Sequence, residues 1–226
     1  MEELEDGFAV YVDDDGGERE LRRRFPDATS APVAAGWEDA WRAFHRGVRV
    51  GRLWVGPPWE TPATGALPVV IDPGRAFGTG AHPTTRLALE LLQELEPASL
   101  LDVGCGSGVL AISAARLGFA PVSAIDVDEA AVEATVANAA ENGAEVSAAL
   151  ADALADPLSE ADVAVANVAL EVVEALALRL ESRLLVASGY LERDEPRLDG
   201  WRLRARRTAD GWAADLLERE WRGAAR

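Results

Sequence analysis

Residues 99–126, SLLDVGCGSGVLAISAARLGFAPVSAID, decide the fold. They read as a strand (99–104), a glycine-rich loop, a helix (107–118) and a second strand (121–126) that ends on an acid. Glycines let the backbone turn sharply and let a ligand approach it, and a helix N-terminus offers free N–H groups. Asp126 stands 22 residues after Gly104, where a strand-end acid can accept both hydroxyls of a ribose.

Two ligand classes share this layout. A dinucleotide site calls for G-x-G-x-x-G and a pyrophosphate at the helix end. Here Gly104, Gly106 and Gly108 are spaced G-x-G-x-G, and Asp102 lies two residues ahead of the first. An anion beside that loop repels pyrophosphate. It suits a ligand carrying a sulfonium and an ammonium, such as S-adenosylmethionine. Asp152, after the third strand, is placed to meet the adenine amino group. Asn167, ending the fourth strand, falls at the carboxyl edge of the sheet, where ligands bind in such folds.

Outward from this core the alternation continues. Helix 128–142 closes at Asn142-Gly143, a stop signal. Strands 145–151 and 161–167, helix 169–181 and strand 183–189 follow. WRLRARR (201–207) and WAADLLERE (212–220) read as a hairpin. Alternating strands and helices predict a parallel sheet with right-handed crossovers and an antiparallel hairpin at its edge. Upstream, strand 67–72 enters a glycine-rich loop, and a helix starting at Thr84 or Thr85 runs to Pro97. Trp37, Trp41 and Phe44 form one helical stripe, and 52–55 is strand-like. Before them come a strand at 8–13 and a short Arg-rich helix at about 17–25. The divisions expected are 1–36, 37–66 and 67–226.

The strand and loop pattern resembles class I S-adenosylmethionine-dependent methyltransferases. Within that class, Ile71-Asp72-Pro73-Gly74-Arg75-Ala76-Phe77-Gly78-Thr79-Gly80-Ala81-His82-Pro83-Thr84-Thr85 is similar to the signature of the ribosomal-protein L-eleven lysine methyltransferases. Asn167-Val168-Ala169-Leu170 and Ser188-Gly189 support the likeness, which covers about residues 37–220. It implies an α/β, Rossmann-like fold with a mostly parallel seven-stranded sheet. It implies cofactor contacts from Thr85, Gly104, Asp126 and Asn167. Gly106, in the same loop, and Asp102, just ahead of it, are read as cofactor-binding residues as well. Phe77, Gly78 and Thr79 would form a flap, with Phe77 covering the cofactor. Asn167 is the expected catalytic residue, orienting the amine by its side chain or neighbouring backbone carbonyls. The family usually begins with a complete ferredoxin-like recognition domain; the 36 residues before the Trp stripe correspond to about half of it. The implied function is N-methylation of amino groups of a basic ribosomal protein. The alternatives are a cofactor-binding module without activity, or a methyltransferase for another protein or a small molecule. His82 is read as a loop-fixing hydrogen-bond residue in preference to a base, and Cys105 is assigned no redox role.

Composition narrows the partners. The 226 residues hold 39 acids against 22 basic residues, all arginine, for a net charge of −17. With no lysine, side-chain Schiff-base chemistry and a P-loop lysine are excluded. The charge argues against binding nucleic acid or an anionic membrane. Residues 101–175 carry thirteen acids and one arginine, whereas 193–226 carry nine arginines and seven acids. One cysteine excludes an intrachain disulfide framework, and no metal site is expected. The acidic MEELEDGF start is unlike a signal peptide, so a cytoplasmic location is expected.

Overall fold

The computed structural model describes residues 2–4, 7–9, 15–26, 29, 45–73 and 80–220. The chain divides into two units, Met1–Arg42 and Ala43–Arg226. In the first, strands β1 (Glu2–Leu4) and β2 (Gly7–Ala9) pair antiparallel and helix α1 spans Asp15–Arg24. Arg22, Arg23 and Arg24 close α1, where cations complement the free carbonyls of a helix end. The Trp37–Phe44 stripe lies outside the described residues.

The second unit opens with a small sheet of β3 (Val48–Val50), β4 (Leu53–Gly56) and β5 (Leu67–Val70). β3 and β4 pair antiparallel, β4 and β5 parallel. The sheet therefore lies across the 66/67 division read from the sequence. β3 went unread because three residues are too few for an alternation signal.

Helix α2 (Pro83–Leu92) leads into β6 (Leu100–Val103), α3 (Val109–Leu117), β7 (Val122–Asp126), α4 (Glu129–Glu141) and β8 (Ser147–Leu150). Then come β9 (Val163–Asn167), α5 (Leu170–Ala177), β10 (Leu184–Leu191), β11 (Trp201–Ala209) and β12 (Trp212–Arg219). The seven-stranded sheet has the order β11-β12-β10-β9-β6-β7-β8. Strands β8 through β10 in that order are parallel; β12 runs against β10 and β11. This is the expected mostly parallel sheet with an antiparallel hairpin at its edge. The chain leaves β6 in one direction for β7 and β8, and returns on the other side for β9. That reversal opens a crevice at the carboxyl ends of β6 and β9.

Alternation along the strands builds two cores. Leu100, Val122, Val163 and Val186 face α2, α3, α4 and the small sheet. Leu101, Val103, Ala164 and Leu185 face α5. Leu101 and Leu185 are fully buried, and burying such a side chain contributes roughly 1.5–3 kcal/mol.

Three helix ends differ from the sequence reading. α2 begins at Pro83 with His82 as its N-cap, not at Thr84 or Thr85. Proline suits the first helical position because its missing N–H would have no intrahelical partner there. α2 also stops at Leu92, where Gln93 donates to Leu89 O and Val50 O and accepts from Arg52 N. α5 ends at Ala177, short of the expected 181.

Candidate functional site

The glycine loop after β6 turns through three left-handed residues, Gly104 (φ 74°), Gly106 (φ 54°) and Gly108 (φ 81°). At Gly104 a Cβ would come within 2.6 Å of Val168 Cγ1, so the narrow passage between loop and β9 requires glycine. The N–H groups of Gly104 and Cys105 both donate to Ile125 O, at 2.9 and 3.1 Å, which ties the loop to the end of β7.

Asp126, the last residue of β7, is fixed by two backbone donors. Gly106 N lies 2.9 Å from Oδ2 and Asp128 N 3.0 Å from Oδ1. A carboxylate has about four acceptor sites, so each oxygen keeps capacity for a ligand hydroxyl. Asp152 is set by a turn after β8, where Oδ1 accepts from Leu154 N at 2.8 Å. Asn167 ends β9, and its Nδ2 donates to Thr85 Oγ1 in α2 at 3.2 Å. The next residue, Val168, is held by a bond from its N–H to Ser188 O at 3.0 Å.

A cleft of about 370 Å³ lies over these groups. Thr85, Gly104, Gly106, Asp126, Asp152 and Asn167, six of the residues selected from the sequence, all line it. They come from α2 and from the ends of four parallel strands, 82 residues apart at the extremes of the Thr85–Asn167 pair. Phe77, Gly78 and Thr79 lie outside the described residues.

Asp102 does not line the cleft. It sits on the Leu100 face of β6, fully buried beneath α3, and Oδ2 accepts from Ala111 N at 3.0 Å. Its Oδ1 is buried, with no hydrogen-bond partner among the described residues. Burial pushes the carboxyl up to about 7; the Ala111 amide opposes that rise and the nearby Asp126 adds to it. Cys105 lies in the cleft wall, receives the Thr135 hydroxyl at 3.2 Å, and is pushed up to about 12, chiefly by burial. Its sulfur stays a thiol near neutral pH, which makes it a packing group and not a nucleophile.

The sequence reading missed the apolar walls. Val127 and Leu154 are 69% and 42% exposed beside the cleft, and Val168 and Val172 line the side toward α5. Exposed large apolar side chains next to a ribose-type acid offer two faces for a flat heterocycle. Strand-end position was the available signal for Val127, which directly follows Asp126. Among the described residues no group of His, Cys, Asp or Glu is arranged to hold a metal, and no helix is long and apolar enough to cross a membrane.

The sequence profile of the family described as "Ribosomal protein L11 methyltransferase (PrmA)" matches residues 25–212. A ribosomal protein L11 methyltransferase of Symbiobacterium thermophilum is 45% identical over 196 residues, covering 80% of this chain and 64% of that protein. One from Methylococcus capsulatus is 44% identical, covering 77% of this chain and 62% of that protein. The chain thus spans a little under two thirds of these relatives' length. A crystal structure of a ribosomal protein L11 methylase from Lactobacillus delbrueckii subsp. bulgaricus superposes with a TM-score of 0.70 at 29% identity, covering 77% of this chain and 99% of that one.

Proposed function

The chain belongs to the ribosomal protein L11 methyltransferase family, and from that membership and the cleft we propose that it is an S-adenosylmethionine-dependent methyltransferase of amino groups on ribosomal protein L11. One observation carries the reading: a hydroxyl (Thr85), a fixed carboxylate (Asp126) and an amide (Asn167) meet around a glycine loop in a single cleft. A ribosomal substrate puts the protein in the cytoplasm.

The residues suit the cofactor. Asp126 presents two aligned acceptors to the ribose hydroxyls, and Val127 and Leu154 flank a place for adenine. Asp152 stands near that place to accept from the adenine amino group. Above about pH 7, where Asp102 is ionised, its carboxylate adds negative potential under the loop, which favours a cationic ligand over a pyrophosphate. Thr85, in the first turn of α2, is placed to bond a carboxylate at a helix start. The bound cofactor supplies an already activated methyl group.

What remains for the protein is alignment and a neutral amine. Alignment of two held reactants can supply roughly 7–11 kcal/mol of a barrier. The thirteen acids against one arginine in residues 101–175 attract a lysine side chain. They also raise its pKa, so the reacting spot must favour the uncharged form. Val168 and Val172 provide an apolar wall that disfavours the cation. The Asn167 Nδ2 is engaged with Thr85, and among the described residues its Oδ1 has no protein donor, so that oxygen is left to accept an amine N–H and aim the lone pair.

The direct test is Asp126→Ala, assayed by calorimetry with S-adenosylmethionine and by the mass gain of L11. Hydrogen bonds to a charged acceptor are worth about 1.5–3 kcal/mol each, so affinity should fall at least about tenfold. Wild-type affinity in Asp126→Ala, or no methyl mass on L11 with the wild-type protein, overturns the proposal.

A further inference from the structure

Within that methyltransferase reading, we infer that His82 is a positioning residue that holds the Thr85–Asn167 pair in place through the N-cap of α2. The contacts run in one chain. His82 Nδ1 accepts from Thr84 N at 3.3 Å and lies 2.7 Å from Thr84 Oγ1. Thr85 follows directly, is 1% exposed, and receives the Asn167 amide at 3.2 Å. Ser188 Oγ, on the strand behind, lies 3.2 Å from Thr84 O and 2.8 Å from Ala213 O, so the same turn is held from below.

The chemistry of the cap fixes the state of the ring. A backbone N–H can only donate, so Nδ1 must be the bare acceptor nitrogen. The Thr84 hydroxyl then donates to that same nitrogen, and the ring proton sits on Nε2. Histidine is a weak choice for an N-cap, where Asn, Asp, Ser and Thr are preferred. It brings something those residues lack, a flat ring. Trp212 of β12 packs edge-on against it, with centroids 4.9 Å apart and planes at 70°. His82 thus joins the first turn of α2 to the hairpin as well as capping the helix.

Protonation of Nδ1 would set an N–H against the Thr84 N–H and remove the cap. The charged groups that face the ring oppose this. Arg86 lies one turn along α2, and it is itself paired with Asp210 of the β11–β12 turn at 2.9 Å. Trp212 is uncharged, and the helix N-terminus carries positive partial charge. Burial first, and Arg86 second, hold the His82 pKa below the usual histidine value. The neutral, cap-competent ring is therefore retained below the ordinary histidine range, and its protonation at still lower pH would release Thr84 and Thr85 together.

The experiment compares wild type, His82→Ala and His82→Asn. L11 methylation is measured across about pH 5.5–9, and NMR follows the His82 ring, the Thr84 and Thr85 amides and the Asn167 side-chain amide. An N-cap contributes about 1 kcal/mol, which if passed to the site corresponds to about fivefold in kcat for His82→Ala. Asn caps as well as any residue, so His82→Asn should stay within about twofold of wild type and lose the acid limb of the pH profile. The Asn167 signals should move as the wild-type ring titrates and stay still in His82→Asn. An Asn variant as impaired as the Ala variant would make the ring itself a base or ligand contact and overturn the inference. So would Asn167 signals that ignore the titration. If wild type transfers no methyl to L11, the functional reading fails, and the NMR titration still decides the positioning role.

Discussion

Asn167 and Thr85 are joined by one hydrogen bond, Nδ2 to Oγ1 at 3.2 Å, that ties the end of a central strand to the first turn of a helix 82 residues earlier. The bond occupies the donor of Asn167 and fixes which way its carbonyl oxygen is offered. Removing Thr85 should therefore misorient Asn167 without removing it.

Thr85→Val keeps the volume and deletes the acceptor. We expect kcat to fall about tenfold, against about 10²–10³ for Asn167→Ala, the range for loss of a group aimed at the reacting centre. At saturating S-adenosylmethionine, where the contact of Thr85 to the cofactor carboxylate no longer limits, the double variant should be no worse in kcat than Asn167→Ala, because the remaining effect of Thr85 runs through Asn167. Additive losses, measured as kcat for L11 methylation, would mean that the two residues work separately.

Asp102→Asn separates stability from ligand charge. The asparagine oxygen still accepts from Ala111 N, while the buried charge is gone. The wild-type carboxyl, raised from 3.8 to about 7, takes up a proton on folding. It thus contributes stability below its unfolded value that is lost as pH rises through about 7. Asp102→Asn should have a higher Tm than wild type at about pH 8, and the gap should narrow near about pH 5. It should bind S-adenosylmethionine more weakly at pH 8, since a cationic ligand loses a nearby anion. Equal affinity for both proteins would remove Asp102 from the binding account.

Much of this site was legible in the sequence, and the reasons are local. Asp126 and Asn167 were placed because each ends an apolar strand run, and strand ends at a parallel sheet's carboxyl edge are where ligands bind. The loop glycines were placed by their spacing. Asp102 was read as a cofactor-binding residue, yet period-two alternation puts it with Leu100, under α3 and out of the cleft lining. The start of α2 was misread because Thr is the commoner cap, while the Pro83 position favours His82. Contacts between residues far apart in sequence, such as Tyr190 of β10 with Asp215 of the neighbouring β12, leave no local pattern in the sequence.

Gly189 should tolerate no side chain. It lies at the irregularity in β10 between Ser188 and Tyr190, with φ 105°. A Cβ there would overlap the backbone of Val168, the residue after Asn167. Gly189→Ala is expected to cost about 1–3 kcal/mol from backbone conformation alone, with more from the overlap. The measurement is the guanidinium midpoint, taken with cofactor affinity, since a displaced Val168 reshapes the cleft wall. An unchanged midpoint would mean that the β9–β10 contact yields freely.

The last prediction concerns a buried acid away from the cleft. Tyr190 donates its hydroxyl to Asp215 Oδ2 at 2.9 Å, and Arg206 Nη1 stands 3.6 Å from the same oxygen. Asp215 is 1% exposed, and its other oxygen has no hydrogen-bond partner among the described residues. Burial raises the Asp215 pKa, against the opposing pull of the Tyr190 hydrogen bond and of Arg206. The ionised form is therefore the costly one in the folded state. The stability contributed by the protonated carboxyl is present below the unfolded carboxylate value and is lost as pH rises through the folded one. Tyr190→Phe takes away the one neutral donor that eases the ionised state. It should destabilise by about 1–3 kcal/mol, the cost of leaving a buried acceptor short of a partner. The loss should be larger at about pH 8 than at about pH 5, because protonation of the raised carboxyl grows as pH falls and relieves the charge. Asp215→Asn keeps an acceptor for Tyr190 and discards the charge, so its stability should vary less with pH than that of wild type. Denaturant unfolding of the three proteins at both pH values checks this. A Tyr190→Phe loss of the same size at both would show that packing of the ring, and not the state of Asp215, sets the energy of this pair.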